Sequence, residues 1–231
     1  MTPQDYIFHT KPFDHQLSEF ISNADKLGHA YFLEMGTGKS KLVIDEISYL
    51  YEKGEIDAAL IVAPDGVHWN WITQQISQHM PPRVREHVMA HCYETKKAQT
   101  KIHQQKCEAL LSHTGLSVLT ISFDGIVTDP VMRTDSTTKR RTTVWMGGKA
   151  FIWELLKARK VFYVVDESRR IKNIHADRTK VVVKSGSYAK HRRALSGTPV
   201  PNGPFDIYPQ IQFCDPTFWS RHGIASYTAF K

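Results

Sequence analysis

The chain has little cysteine: Cys92, Cys107 and Cys214 are the three in 231 residues. That is too few for a disulfide framework and points to a reducing compartment, so secretion is not expected. No apolar run approaches the ~20 residues needed to cross a bilayer, and no membrane role is expected. Met1 to His9 lacks a basic stretch followed by a long apolar one, so no signal peptide is expected either. There is no internal repeat and no low-complexity tract, which removes solenoids, arrays and disordered linkers. Acidic residues are also short, at 23 Asp/Glu against 30 Lys/Arg. The shortage is local. Residues 133–193 hold 17 Lys/Arg against 5 Asp/Glu, and the remainder holds 13 against 18. A basic half on a near-neutral scaffold suggests a polyanionic partner, the alternative being a solvated face.

The length fits one large domain or two small ones, and 41% hydrophobic residues can build a sizeable core. The rest of the chain can be read around residues 31–42. An apolar stretch, Ala30 to Leu33, meets a glycine-rich turn with Gly36 and Gly38. Lys39 and Ser40 follow, then an apolar helical stretch from Leu42. This is the layout of a phosphate-binding loop. Glycines let the backbone curl so that several N–H groups face one anion, and a helix N-terminus adds partial positive charge. In that pattern Lys39 reaches the outer phosphates and the Ser40 hydroxyl holds Mg²⁺. The pattern G-x-x-x-x-G-K-[ST] has its first glycine where this chain has Leu33. A plain turn before an amphipathic helix is the competing reading.

The order of elements supports the loop. Asp14 to Ala24 reads as a helix with Pro12 near its start. Gln16 there offers a donor and an acceptor that suit an adenine edge, although the spacing equally suits a surface glutamine. Ala58 to Pro64, Leu116 to Ser122 and Val161 to Val165 are continuous apolar runs, as in strands buried on both faces. Arg83 to Cys92 includes a further short strand, and Arg193 to Ser196 another. Helices are expected over Val67 to His79, Lys96 to Leu111, Gly148 to Leu156 and most of Ile171 to Lys190. Asp129 to Thr143 reads as an exposed loop or hairpin, and Phe205 to Phe230 as helical, then irregular. Strands alternating with helices imply a mostly parallel sheet covered on both faces. Asp166-Glu167 follow directly on the Val161–Val165 run. Ligands of open α/β sheets bind at strand carboxyl ends. One carboxylate can hold Mg²⁺ and its neighbour can orient or deprotonate an attacking water.

Gln16, Gly36-Thr37-Gly38-Lys39-Ser40, Asp166-Glu167-Ser168-Arg169-Arg170-Ile171-Lys172-Asn173 and Ser196-Gly197-Thr198-Pro199-Val200-Pro201-Asn202 stand in one order. In order and spacing they resemble superfamily 2 helicase-like ATPases, and within these the Swi/Snf-type double-stranded DNA translocases. The resemblance implies a three-layer P-loop NTPase (RecA-like) α/β fold for residues 1–231, with a basic insertion near residues 129–150. It implies ATP and Mg²⁺ as cofactors, and ATP hydrolysis driving movement on duplex DNA. By the same resemblance Gln16 contacts adenine, and Met35, Gly36, Thr37, Gly38 and Lys39 cradle the phosphates. Ser40 and Asp166 hold the metal, and Glu167 activates water. Ser196 and Thr198 couple nucleotide state to DNA, while Pro64, Ser122, Lys172 and Asn173 approach the DNA backbone.

Three departures from the family pattern stand out. Arg169 occupies a position that is often His, and Leu33 replaces the loop glycine. The second RecA-like lobe, which supplies arginine fingers worth ~10³-fold or more in rate, is not in this chain. The isolated lobe is therefore expected to hydrolyse ATP weakly or not at all. The location implied is the cytoplasm of a bacterial or phage-infected host, or a nucleus. An unwinding RNA or DNA helicase, and a nucleotide-dependent binding module without turnover, are the alternatives.

Three other signals compete for attention. His87, His91, Cys92, His103 and Cys107 are zinc-type residues, but their spacing matches no standard finger, so no structural zinc is expected. Trp69 and Trp71 suit base stacking or core packing. Lys139-Arg140-Arg141 suits a DNA-contacting hairpin or a solvated insertion.

Overall fold

In the computed structural model, which describes residues 1–134, 136–138 and 141–231, the apolar runs become the middle of a six-stranded sheet. The strands are β1 (Gly28–Tyr31), β2 (Ala58–Ala63), β3 (Val88–Tyr93), β4 (Leu116–Ser122), β7 (Val161–Val165) and β8 (His191–Leu195). Between β4 and β7, β5 (Val131–Thr134) and β6 (Arg141–Trp145) form a separate antiparallel hairpin. The large sheet runs β1-β8-β7-β2-β4-β3, and every pairing in it is parallel. β2, β4 and β7 are buried at every position, as their unbroken apolar sequences require.

Alternation along β2 shows how the layers form. Ala59, Ile61 and Ala63 face one core; Ala58, Leu60 and Val62 face the other. The first core is covered by α1 (Asp14–Asn23), α2 (Lys39–Glu52) and the helical stretch α3 (68–79). The second is covered by α4 (Lys101–Ser112), α5 (Gly148–Ala158), α6 (Asp177–Gly186) and α7 (Tyr208–Cys214). The expected three-layer α/β architecture is therefore present. Among the described residues no helix is long and apolar enough to cross a membrane.

Local chemistry moved several boundaries. The helix expected from Lys96 begins at Lys101, because the Thr100 hydroxyl accepts the His103 N–H and caps it there. The helix expected from Ile171 shrinks to α6. Ser168–Ile171 is instead a tight 3₁₀ turn, and Asn173 Oδ1 accepts the His175 N–H. Within α3 the segment Trp71–Ile76 is π-helical. Of Asp129 to Thr143, the described parts supply the two strands of the hairpin, and Asp135, Lys139 and Arg140 lie outside the described residues.

Part of the basic segment turns inward. Arg193 on β8 is fully buried. Its Nε and Nη2 donate to the Glu46 carboxylate of α2 at 2.9–3.0 Å, and Tyr31 Oη donates to the same group at 2.8 Å. Its other N–H groups reach the carbonyls of Asn23, Ala24, Lys26 and Arg192. Arg159 likewise donates to the carbonyls of Asp57 and Gly115 at 2.8 and 2.7 Å. Both arginines tie the fold together, and neither is free for a polyanion.

Candidate active site

β1 ends at Tyr31, and the chain turns through residues 32–38 before α2 begins at Lys39. Gly36 and Gly38 carry φ of 80° and 78°, in the left-handed region where a side chain is costly. At Gly38 a Cβ would also lie 2.2 Å from Gln16 Nε2. The Thr37 hydroxyl donates to the Glu34 carbonyl at 2.8 Å and tightens the turn. Lys39 Nζ donates to the carbonyls of Leu33 and Glu34, both at 2.9 Å. Met35 stands exposed at the crest.

Gln16 is buried, and its amide is engaged at both ends. Its Oε1 accepts the Phe13 N–H at 3.0 Å, and its Nε2 donates to the Thr37 carbonyl at 3.0 Å. It therefore braces the loop directly. His15 also meets the Thr37 carbonyl, at 2.9 Å, with the exposed Phe13 ring parallel to it.

Asp166 and Glu167 continue from β7. Asp166 N–H extends the ladder to the Val62 carbonyl at 2.8 Å. Its Oδ2 accepts the Trp71 indole N–H at 3.1 Å, and its Oδ1 accepts the Glu167 N–H at 2.9 Å. Burial pushes the Asp166 carboxyl above the ordinary carboxylate range; the Trp71 bond opposes this and the Glu167 charge adds to it. Glu167 has φ 50° and is the one non-glycine residue with positive φ among those described. Such a conformation costs of order 1–3 kcal/mol and persists where surroundings impose it, commonly at functional sites. Here it breaks the strand direction between two adjacent carboxylates.

The glycine-rich loop and the acid pair line one cleft of about 430 Å³, with Met35, Gly36, Gly38, Lys39, Ser40, Asp166 and Glu167 on its walls. Gln75 and His79 of α3 also line it. These two were missed, because a helix face carries no motif. Trp71 was read as core or base-stacking. It is core, at 1% exposed, yet its N–H reaches a cleft carboxylate. Ser40 and Asp166 offer hard oxygen donors, a set that suits Mg²⁺.

Strand order explains the next contact. β8 lies between β1 and β7, so Ser196-Gly197-Thr198 emerges between the loop and the acids. A Cβ on Gly197 would lie 3.0 Å from the Met35 side chain, so the segment packs against the loop. Buried Ser196 Oγ accepts the Thr198 N–H at 3.2 Å. Arg169 joins the two motifs: its Nε lies 3.3 Å from Glu167 Oε2, and its Nη1 donates to Thr198 Oγ1 at 3.4 Å.

The remaining expected residues do not share this cleft. Lys172 and Asn173 line a second one of about 480 Å³ with Arg169, Arg170, Arg178 and Pro201, a strongly cationic wall. Ser122 lines a third with Trp69, Lys96 and three carboxylates, those of Asp65, Glu94 and Asp124. Its Oγ accepts the Gly125 N–H at 3.0 Å. The Pro64 carbonyl accepts the Val67 and His68 N–H groups and starts α3.

With this geometry in hand, comparison with known proteins is informative. The model of the SNF2-related domain matches residues 21–227. A probable ATP-dependent DNA helicase, CHR12 of Arabidopsis thaliana, is 28% identical over 184 residues, covering 79% of this chain and 14% of that protein. A chromatin-remodeling ATPase INO80 of Sclerotinia sclerotiorum is 24% identical over 190 residues, covering 82% and 10%. The SWI2/SNF2 ATPase core of Sulfolobus solfataricus, solved in complex with dsDNA, aligns over the whole chain and 40% of its own length. Its TM-score is 0.64 and its identity 20%, a likeness of fold. The chain thus spans a small fraction of these longer relatives. A family match over nearly the full length, on a sheet that carries the loop and the acid pair at its strand ends, shows that this chain belongs to the SNF2-related domain family, as an N-terminal RecA-like lobe of Swi/Snf type.

Proposed function

We propose that the chain is the ATP-binding lobe of an ATP-dependent double-stranded DNA translocase. The observation that carries this reading is the Glu167–Arg169–Thr198 connection, which links the cleft of the phosphate loop to a wall of Arg169, Arg170, Lys172 and Arg178. A nucleotide cleft alone fits many enzymes; one joined to a cationic wall fits an engine that moves on a polyanion.

In this reading the N–H groups of residues 36–39 and the Lys39 ammonium bind the phosphates of ATP. Gln16 and the Phe13–His15 rings sit on the side where adenine would lie. Ser40 and Asp166 would hold Mg²⁺, which neutralises phosphate charge when bound. Glu167 orients a water and takes its proton as that water attacks the γ-phosphorus. ADP and phosphate are the products. Thr198 and Arg169 pass the state of that cleft to the cationic wall, where Lys172 and Asn173 meet the duplex backbone. A second RecA-like lobe, from the parent chain or a partner, supplies the arginine fingers and the other half of the DNA track.

The test is ATPase rate for this chain and for a parent carrying both lobes, each with duplex DNA, single-stranded DNA, RNA and no nucleic acid. Duplex-stimulated turnover by the parent is expected, with loss of binding in Lys39→Ala. Glu167→Gln should bind ATP and not hydrolyse it. Best stimulation by RNA or single strands, together with strand displacement, would replace the translocase with an unwinding helicase. ATP binding without turnover under any condition would leave a binding module.

A further inference from the structure

The zinc-type residues of the sequence fit no finger spacing, yet the fold gathers three of them. His103 and Cys107 are four residues apart on α4 and so share one face. His91 comes from β3, the edge strand against which α4 packs. One ligand atom from each of His91, His103 and Cys107 lies within 4.8 Å of the others. His103 and Cys107 are buried; His91 is half-buried and leaves one side open to solvent.

We propose that His91, His103 and Cys107 form a binding site for one thiophilic d¹⁰ metal ion, Zn²⁺ or Cu⁺, that fastens α4 to the edge of the sheet. The proposal rests on the fold and is independent of the ATPase reading.

The geometry supports it. His91 Nε2 and His103 Nδ1 are 3.2 Å apart. Two nitrogens on one tetrahedral zinc, each near 2.0–2.1 Å, stand about 3.3 Å apart. The widest separation in the cluster exceeds the nitrogen–sulfur edge of about 3.6 Å by roughly one ångström, so binding requires the cluster to close by that much.

A bound metal would take Cys107 as the thiolate, displacing its proton. The charge balance is favourable. A thiolate and two neutral imidazoles on Cu⁺ make a neutral three-coordinate centre. On Zn²⁺ they carry one positive charge, with water entering on the open side of His91. Soft thiolate with imidazole selects these ions over Mg²⁺.

The experiment uses the full chain, untagged and stripped with chelator. It is equilibrated with Co²⁺ as a spectroscopic probe, and separately with Zn²⁺ and with Cu⁺ under anaerobic conditions. A thiolate-to-cobalt charge-transfer band is expected in the parent and absent in Cys107→Ser. After desalting, one equivalent of metal should remain in the parent. Cys107→Ser and His103→Ala should lose it while retaining parental far-UV circular dichroism. Retention of zinc assigns the site to Zn²⁺, and retention of copper alone assigns it to Cu⁺. No cobalt–thiolate band together with no retained zinc or copper in the parent, or equal retention in parent and variants, would overturn the proposal and leave a hydrogen-bonded histidine pair beside a core cysteine.

Discussion

Arg193 keeps a full charge where no water reaches, and among the described residues its anionic partner there is Glu46. Removing one member of such a pair strands the other. Arg193→Met is therefore expected to cost about 3–5 kcal/mol, and the double change Glu46→Leu with Arg193→Met to recover much of that. Urea midpoints of the two variants and the unaltered chain measure it, and a double variant no better than the single one would mean the pair's hydrogen bonds to backbone dominate. Arg169 is the opposite case. Its contacts are half exposed, so Arg169→Ala should change stability by less than about 1 kcal/mol. The effect belongs in coupling: nucleotide affinity unchanged, stimulation by duplex DNA reduced. Stimulation equal to the parent's would remove Arg169 from the path between Glu167 and Thr198.

At the scale of elements, α3 does more than cover the sheet. A π-helical turn widens the hydrogen-bond step by one residue, and such segments often sit at functional sites. In α3 that segment begins at Trp71, whose indole N–H reaches Asp166, while Gln75 from the same segment lines the cleft. Trp71→Phe preserves most of the packing and deletes the donor. Hydrogen bonds to charged groups are worth about 1.5–3 kcal/mol. The variant is expected to need more Mg²⁺ for half-maximal nucleotide binding, with parental circular dichroism. An unchanged Mg²⁺ requirement would mean that the end of β7 positions Asp166 unaided.

For the molecule as a whole, His29 and His191 contribute to the response to acid. Burial, with nearby positive charge adding to it, lowers both from 6.5 to about 4. Across that interval the unfolded chain takes up protons that the folded chain refuses. Their contribution to stability is therefore complete above about pH 6.5 and is lost as pH drops toward about 4. Burial pushes the Asp45 carboxyl up to about 7, which offsets part of that loss. The urea midpoint of His191→Phe should accordingly fall less between about pH 7.5 and pH 5 than that of the unaltered chain, and equal falls would show that the ring is not shielded in solution.

The sequence by itself determined the local pieces. Gly36, Gly38, Lys39 and Ser40 announce a loop because backbone curvature, charge and hydroxyl lie within five consecutive residues. Asp166-Glu167 announce a site because an apolar strand ends on them. The runs at 58–63, 116–122 and 161–165 announce buried parallel strands by composition alone. Only the tertiary structure decided that β8 lies between β1 and β7, and so that Thr198, Arg169 and Glu167 meet. It alone turned Arg193 and Arg159 inward out of an apparently polyanion-binding segment, aimed Trp71 at Asp166, and brought His91 beside His103 and Cys107. The division has a physical cause. Turn geometry and strand burial depend on neighbours along the chain, whose identities a sequence displays. The direction of a buried charge or the partner of an indole N–H depends on which distant strand lies alongside, and many residues compete for that place on nearly equal terms.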